Sequence, residues 1–84
     1  MSKISDLVGQ FEGLKEQFEG LGTQTTGYIQ EIDEAIEEAA GLGVGTERLE
    51  AAKARAEELM NEISSLVSSS EETASTMGAA GEPS

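Results

Sequence analysis

A seven-residue repeat of apolar side chains runs through the first half of the chain. Written in blocks of seven from Ile4, the sequence reads ISDLVGQ, FEGLKEQ, FEGLGTQ, TTGYIQE, IDEAIEE and AAGLGVG. The first column contains Ile4, Phe11, Phe18, Thr25, Ile32 and Ala39, and the fourth contains Leu7, Leu14, Leu21, Tyr28, Ala35 and Leu42. Two apolar columns at this spacing are typical of a helix that packs along another helix. The chain is therefore expected to be all-α, with coiled-coil-like packing.

A glycine-rich segment separates this repeat from a second one. Gly41 and Gly43 are expected to end the first helix, because glycine readily adopts the left-handed conformation of a C-cap, and Thr46 is a suitable N-cap for the next helix. The second apolar seam is expected to contain Leu49, Ala52, Ala56, Leu59, Ile63 and Leu66. The predicted hairpin domain covers residues 1–69, with a helix over about 3–40, a turn over 41–45 and a helix over about 46–69. A flexible polar tail is predicted over 70–84.

The short connection predicts that the two helices are antiparallel neighbours. Folding about Gly43 brings together positions whose residue numbers add to about 86. The first-helix residues expected inside this hairpin are Tyr28, Ile32 and Ile36. Charges favour the same register, since the basic residues Arg48, Lys53 and Arg55 fall opposite an acidic run over 31–38.

The segment from Gly20 to Gly27 leaves an alternative open. It contains three glycines and three threonines beside Leu21, and both residue types are poor helix formers. The heptads nevertheless stay in phase across it, which favours one long helix. A break at this segment would instead give a three-helix bundle, in which residues 3–19 pack back on the hairpin.

The N-terminal part of the seam is expected to bind another protein. In the hairpin register, Phe11 and Phe18 lie opposite about residues 68–75, which are mostly serine, glutamate and threonine and look too polar to bury them. A chain of 84 residues is also below the size at which one core is comfortably stable. We therefore expect this part of the seam to be an interaction surface or a dimer interface. The residues expected to contact the partner are Ile4, Leu7, Phe11, Leu14, Phe18 and Leu21.

Glycines at regular spacing add a second hint of helix packing. Gly13, Gly20 and Gly27 recur every seven residues. This spacing fits a smooth stripe where another helix approaches closely, and it equally fits duplication of a seven-residue unit, as FEGLKEQ and FEGLGTQ suggest. The sequence alone does not choose between these two interpretations.

Charge and composition exclude several classes of function. The formal net charge is -12, so nucleic-acid phosphates and anionic lipid surfaces would repel the chain. There is no cysteine and no histidine, which removes disulfides, thiolate zinc sites and the usual general base. No apolar run approaches the length of a membrane span. We expect neither an enzyme nor a cofactor, and no membrane insertion.

Two further motifs are weighed and set aside. Asp33 with Glu37, and Glu34 with Glu38, lie one helical turn apart and could share a hard cation, but a solvated acidic helix face is the expected state of such residues. The glycines of GLGVGT lack the preceding strand and the lysine of a phosphate-binding loop. Neither a metal site nor a nucleotide site is predicted.

The architecture resembles the Trp-x-Gly family of small type VII secretion substrates. The resemblance covers roughly residues 4–77 and consists of an acidic chain of this length with two antiparallel helices and a glycine-rich turn near its middle. The turn here is Gly41-Leu42-Gly43-Val44-Gly45, without the family's tryptophan, and no tyrosine follows the second helix. The resemblance implies that two hairpins pair into a four-helix bundle, either as a homodimer or with a sister protein, or with a larger client such as a secreted effector. The N-terminal segment MSKISDLVGQ lacks the apolar core of a secretory signal peptide, so we expect a location in the cytoplasm, or export without a cleaved signal peptide.

Three functions remain as expectations from the sequence. The first is a small acidic helical module that dimerises, or that chaperones or targets a larger protein. The second is a structural or regulatory coiled-coil scaffold. The third is an acidic mimic of nucleic acid that inhibits a binding protein, which the net charge of -12 allows.

Overall fold

Two long helices make up the described part of the chain. The structure is a computed structural model that describes residues 2–80, in which α1 spans Lys3–Gly41 and α2 spans Glu47–Ala80. The helices pack along one another as a hairpin with extents of 66 × 16 × 12 Å. Residues 2–80 contain no strand. The predicted all-α helical hairpin is confirmed.

Helix α1 is continuous through the segment that could have broken it. It begins at a cap in which the Ser2 hydroxyl accepts a hydrogen bond from the Ser5 amide at 3.1 Å. Within Gly20–Gly27, the hydroxyls of Thr23 and Thr26 donate to carbonyl groups four residues earlier, at 3.2 and 3.0 Å. The single long helix is confirmed, and the three-helix alternative does not form.

The turn ends α1 by a Schellman motif. The Val44 amide donates to the Ala39 carbonyl at 2.9 Å, and the Gly43 amide donates to the Ala40 carbonyl at 3.2 Å. Gly43 has a φ of 73°, a conformation that costs an L-residue with a Cβ. Thr46 precedes α2, and its carbonyl accepts a hydrogen bond at 2.9 Å from the first turn of that helix.

The contacts between the helices fix an antiparallel register. The Lys53 ammonium lies 2.7 Å from a carboxylate oxygen of Asp33, and the Lys15 ammonium lies 3.7 Å from a carboxylate oxygen of Glu71. A third contact joins the hydroxyl of Thr26 to the sulfur of Met60 at 3.8 Å. The two residue numbers add to 86 in each pair, as predicted.

The packed seam uses a different pair of columns from the predicted one. It keeps the first column of α1 and replaces the fourth column by the fifth, so that one series of buried and partly buried residues recurs at alternating spacings of three and four. On α1 they are Val8, Phe11, Lys15, Phe18, Gly22, Thr25, Ile29, Ile32, Ile36 and Ala39. On α2 they are Leu49, Lys53, Ala56, Met60, Ile63, Val67, Ser70, Ala74 and Met77.

Four residues predicted inside the hairpin lie outside it. Tyr28, Ala52, Leu59 and Leu66 are exposed, so their assignment to the seam is wrong. The other predicted seam residues, namely Ile32, Ile36, Leu49, Ala56 and Ile63, do lie in it.

The fifth column of α1 faces α2 although it contains a glycine and a lysine. Gly22 lies beside Ile63, and a Cβ built on the glycine would be in ordinary van der Waals contact with the Ile63 side chain, at 3.6 Å. Lys15 and Lys53 also sit in the seam, where their aliphatic stems can lie along apolar neighbours while the ammonium groups reach out to carboxylates. These two ion pairs favour the fifth column over the leucines of the fourth.

Helix α2 continues to Ala80 instead of ending near residue 69. The predicted flexible tail is therefore wrong for residues 70–80, and residues 81–84 lie outside the described part. Ser70 and Ala74 are buried, because their small side chains continue the seam and let α2 pass close to α1. Phe11 and Phe18 lie beside this stretch and are partly buried.

The hairpin leaves an unusually large surface open. A compact monomer of 8.8 kDa would expose roughly 4,800 Å², whereas this chain exposes 6220 Å². Its radius of gyration is 19.1 Å, against about 12 Å for a compact domain of this length. Of the hydrophobic residues in the described range, only Ile63 and Ala74 are buried, and each is still 7% exposed. Much apolar surface is therefore available for another molecule.

Candidate functional site

One side of the hairpin is acidic. In an antiparallel pair, the corresponding flanks of the two helices lie on the same side of the seam. Glu19 and Thr26 of α1 share the lining of an open groove with Ser64 of α2, and Glu12 shares the lining of a second groove with Glu71. This side is called the acidic face, and its charged residues are Glu12, Glu19, Asp33, Glu50, Glu57 and Glu71.

The opposite side is apolar. We call it the apolar face, and its residues recur every seven positions: Leu7, Leu14, Leu21, Tyr28 and Ala35 on α1, with Ala52, Leu59 and Leu66 on α2. The register places Leu21 beside Leu66 and Tyr28 beside Leu59. These four side chains are between 44% and 59% exposed. They form a patch that spans both helices, which is the kind of surface that marks an interaction site.

The six residues predicted to contact a partner separate into two groups. Ile4, Leu14 and Leu21 are exposed, and the last two belong to the apolar face. Leu7 is partly buried at the edge of the same face. Phe11 and Phe18 belong to the hairpin seam, where α2 buries them only in part.

A repeat that the sequence reasoning missed covers the outer side of α1. The pattern Leu-x-x-Gln-x-x-Gly occurs three times in succession, and a helix places all of its members on one outward stripe. We call this the uncharged stripe: Leu7, Gln10, Gly13, Leu14, Gln17, Gly20, Leu21, Gln24, Gly27 and Tyr28. Reading the heptad columns for uncharged residues, as well as for apolar ones, would have found it.

The glycines of the stripe have no steric role inside the hairpin. A Cβ on Gly13, Gly20 or Gly27 would meet nothing within 4 Å. Each glycine costs the helix about 0.8–1 kcal/mol relative to alanine. Packing within this chain therefore gives no reason for them, in contrast to Gly22, which lies against Ile63.

Charge is segregated around α1. Between residues 7 and 28 the charged side chains are Glu12, Lys15, Glu16 and Glu19, and all of them lie in the seam or on the acidic side of it. The uncharged stripe thus crosses a chain of net charge -12 without presenting a carboxylate.

The electrostatic contacts lie away from the apolar face. A hydrogen bond from Lys53 to Asp33, together with the charge of that carboxylate, raises the pKa of Lys53 above its usual value.

No group of three or more acidic side chains in residues 2–80 is arranged to hold a metal ion. Neither described helix has a stretch both long and apolar enough to cross a bilayer.

The sequence matches no protein-family profile, no curated protein and no solved structure. The candidate site is accordingly defined by geometry: an uncovered apolar face, continuous with an uncharged stripe, on the side of the hairpin opposite the acidic face.

Proposed function

We propose that this protein is a helical protein–protein interaction module whose apolar face packs against helices of another protein molecule. One observation carries the proposal: Leu14, Leu21, Tyr28, Leu59 and Leu66 lie on one side of the hairpin and are each at least 36% exposed. Adding two helices on that side would convert the hairpin into half of a four-helix bundle. In such a bundle each helix contacts two neighbours, so an apolar column beside the seam also becomes buried.

The size of the face supports this proposal. A stable interface buries about 800 Å² on each partner. A hairpin with extents of 66 × 16 Å in the plane of its two helices offers more than that area. The accessible surface of 6220 Å² also exceeds the value for a compact monomer of this mass by more than 1,000 Å². Covering the apolar face would remove surface of this order.

A finer version of the function rests on the architectural resemblance to Trp-x-Gly proteins. In it, the module chaperones or targets a larger helical client such as a secreted effector. The support is the hairpin architecture, which would present one apolar face to the client while the opposite face keeps its carboxylates in water. This version predicts a partner with an amphipathic helical hairpin of its own.

Site-specific photo-crosslinking in cells of the source organism tests the proposal. A benzophenone amino acid replaces Leu66 on the apolar face in one variant and Ser64 on the acidic face in the other. Both positions are exposed on α2 and lie only two residues apart. We expect Leu66 to give a discrete crosslinked protein band and Ser64 to give none.

The crosslinked species is identified by its mass and by peptide mapping. A protein adduct at Leu66, whether with this chain or with another, supports the proposal. Adducts of equal yield at both positions, or no protein adduct at Leu66, would overturn it. Circular dichroism of the two variants controls for folding, since both should keep the helix content of the wild type.

A further inference from the structure

We propose that the molecule covering the apolar face is a second copy of this chain, with the two α1 helices antiparallel across a two-fold axis at Gln17. This inference rests on the proposed function and names its partner. It follows from the order of residues along α1, because one antiparallel register matches the uncharged stripe of one copy to that of the other.

The heptad column that contains the glutamines is complementary to the same column of a second, antiparallel copy. Its members are Lys3, Gln10, Gln17, Gln24 and Glu31. In an antiparallel pair centred on Gln17, Lys3 of one copy faces Glu31 of the other at both ends. Gln10 faces Gln24, and Gln17 faces its own counterpart. Opposite charges therefore meet at the ends, and neutral amides meet in the centre. Charge complementarity of this kind determines the register of an interface more than its affinity.

The apolar column agrees with the same axis. Leu14 of one copy meets Leu21 of the other, and Leu7 meets Tyr28. The overlap from Lys3 to Glu31 spans about 42 Å of helix. A parallel arrangement would instead place Lys3 on Lys3 and Glu31 on Glu31, which is repulsive at both ends.

The same two-fold axis also pairs the two α2 helices without bringing like charges together. The hairpin register carries the axis from Gln17 to Ser69 on α2. Around that point, Ser69 faces its counterpart, and Glu62 of one copy faces Thr76 of the other. Leu66 then meets Thr73, so apolar and small polar side chains cover one another along both helices.

Self-association through other surfaces would bring like charges together. The acidic face carries six carboxylates along its length, and two copies meeting there would repel. The uncharged stripe between residues 7 and 28 lets two chains of net charge -12 approach with little local repulsion. This difference argues for a second copy on the apolar face.

The test compares two identical chemical changes on α1. Gln17→Glu puts two carboxylates face to face at the proposed axis, whereas Gln30→Glu adds the same charge on the side of α1 away from the stripe. Both glutamines are exposed, and glutamate is as good a helix former as glutamine. Sedimentation equilibrium of the full chain at low salt gives the dimer dissociation constant of each.

We expect the wild type to form a dimer of twice 8.8 kDa. Gln17→Glu should raise the dissociation constant about tenfold, as for like charges roughly 6 Å apart at an effective dielectric constant of about 40. Gln30→Glu should change it less than about twofold. Mixing Gln17→Glu with Gln17→Lys should then form a heterodimer tighter than either homodimer, which native mass spectrometry detects.

Three results would overturn the inference. They are a wild type that stays monomeric up to about 1 mM, equal effects of Gln17→Glu and Gln30→Glu, and no preference for the mixed dimer. The crosslinking experiment separates these failures from failure of the proposed function. An adduct at Leu66 with a different protein would retain the interaction module and reject the second copy, whereas no adduct would reject both.

Discussion

The two faces of the hairpin flank the same seam and are built from the same heptads, yet one is suited to water and the other to contact with another molecule. The acidic face presents Glu12, Glu19, Glu57 and Glu71 to solvent beside open grooves. The apolar face presents leucines, one tyrosine and no carboxylate. A chain that needed only to fold as a hairpin would have no reason to keep both, because polar residues on both flanks would favour the isolated molecule.

The contrast also separates stability from association. The seam alone holds the hairpin together. It buries little apolar surface, because glycine, threonine, serine and alanine occupy several of its levels. No leucine or tyrosine of the apolar face is buried between α1 and α2 to the same degree as Ile63. The contribution of this face is expected when another molecule covers it, so changes on the two faces should have different consequences.

The largest expected effect comes from charging the apolar face. Leu21→Glu with Leu66→Glu removes four leucines from the proposed dimer and adds four carboxylates, so dimerisation should weaken by at least about 1,000-fold. The matched control is Thr26→Glu with Ser64→Glu on the acidic face, which should change the dissociation constant less than about threefold. Sedimentation velocity measures both, and equal losses in the two variants would remove the distinction between the faces.

A smaller effect distinguishes the seam from the face in the monomer. Ile63→Ala should lower the free energy of unfolding by about 2–3 kcal/mol, because Ile63 is 7% exposed and its removal leaves a cavity. Leu66→Ala should cost less than about 1 kcal/mol at concentrations where the chain is monomeric, since that side chain is 44% exposed. Urea denaturation of dilute protein provides the values. A larger loss for Leu66→Ala would place the seam on the wrong column.

Two glycines should respond in opposite directions. Gly20→Ala should stabilise dilute monomer by about 0.5–1 kcal/mol, since its Cβ meets nothing within 4 Å. Gly43→Ala should destabilise it by about 1–2 kcal/mol, because Gly43 has a φ of 73°. Thermal unfolding monitored by circular dichroism tests the pair. A loss of stability in Gly20→Ala would show that the stripe is already packed inside one chain.

The smallest expected effect is a dependence of stability on alkaline pH. Asp33 raises the folded-state pKa of Lys53 above the unfolded value of 10.5. The stabilisation is therefore complete below pH 10.5 and is lost as the pH rises through the higher folded-state pKa. Asp33→Asn has no such contribution to lose. Its melting temperature should lie slightly below that of the wild type at pH 9, and the difference should shrink towards pH 12.

Much of the fold could be predicted because its signals are local. The turn has the glycine that its positive φ requires, and the heptads run in phase through Gly20–Gly27. The acidic run opposite Lys53 gave the register, which the Asp33 contact confirms. Each of these signals depends on neighbouring residues or on one short connection.

The choice of seam column could not be predicted in the same way. The fourth column of α1 is richer in leucine than the fifth, which contains Lys15 and Gly22. Hydrophobicity alone therefore selects the column that the fold leaves outside. The fifth column is distinguished by contacts that appear only in the folded hairpin: Gly22 lies beside the Ile63 side chain, and Lys15 pairs with Glu71, which is far away in the sequence.

The end of α2 was missed for a related reason. Serine and threonine after Val67 have weak helix propensity, and they indicated a flexible tail. The three–four spacing nevertheless continues through Ser70, Ala74 and Met77, where small residues fit beside α1. The candidate site was likewise recognised only in part, because Leu59 and Leu66 join it from the helix that was expected to bury them.

Distances between spin labels on two copies test the central claim most directly. The chain has no cysteine, so Gln10→Cys, Gln17→Cys and Gln24→Cys each give one label on the same column. We predict a short distance between two labels at position 17, a longer distance between two labels at position 24, because these are offset by roughly 20 Å along the helix axis, and a short distance when labels at 10 and 24 are mixed. Equal distances at 17 and 24 would indicate a parallel pair, and no dipolar coupling at any position would indicate a monomer; either result would contradict the account.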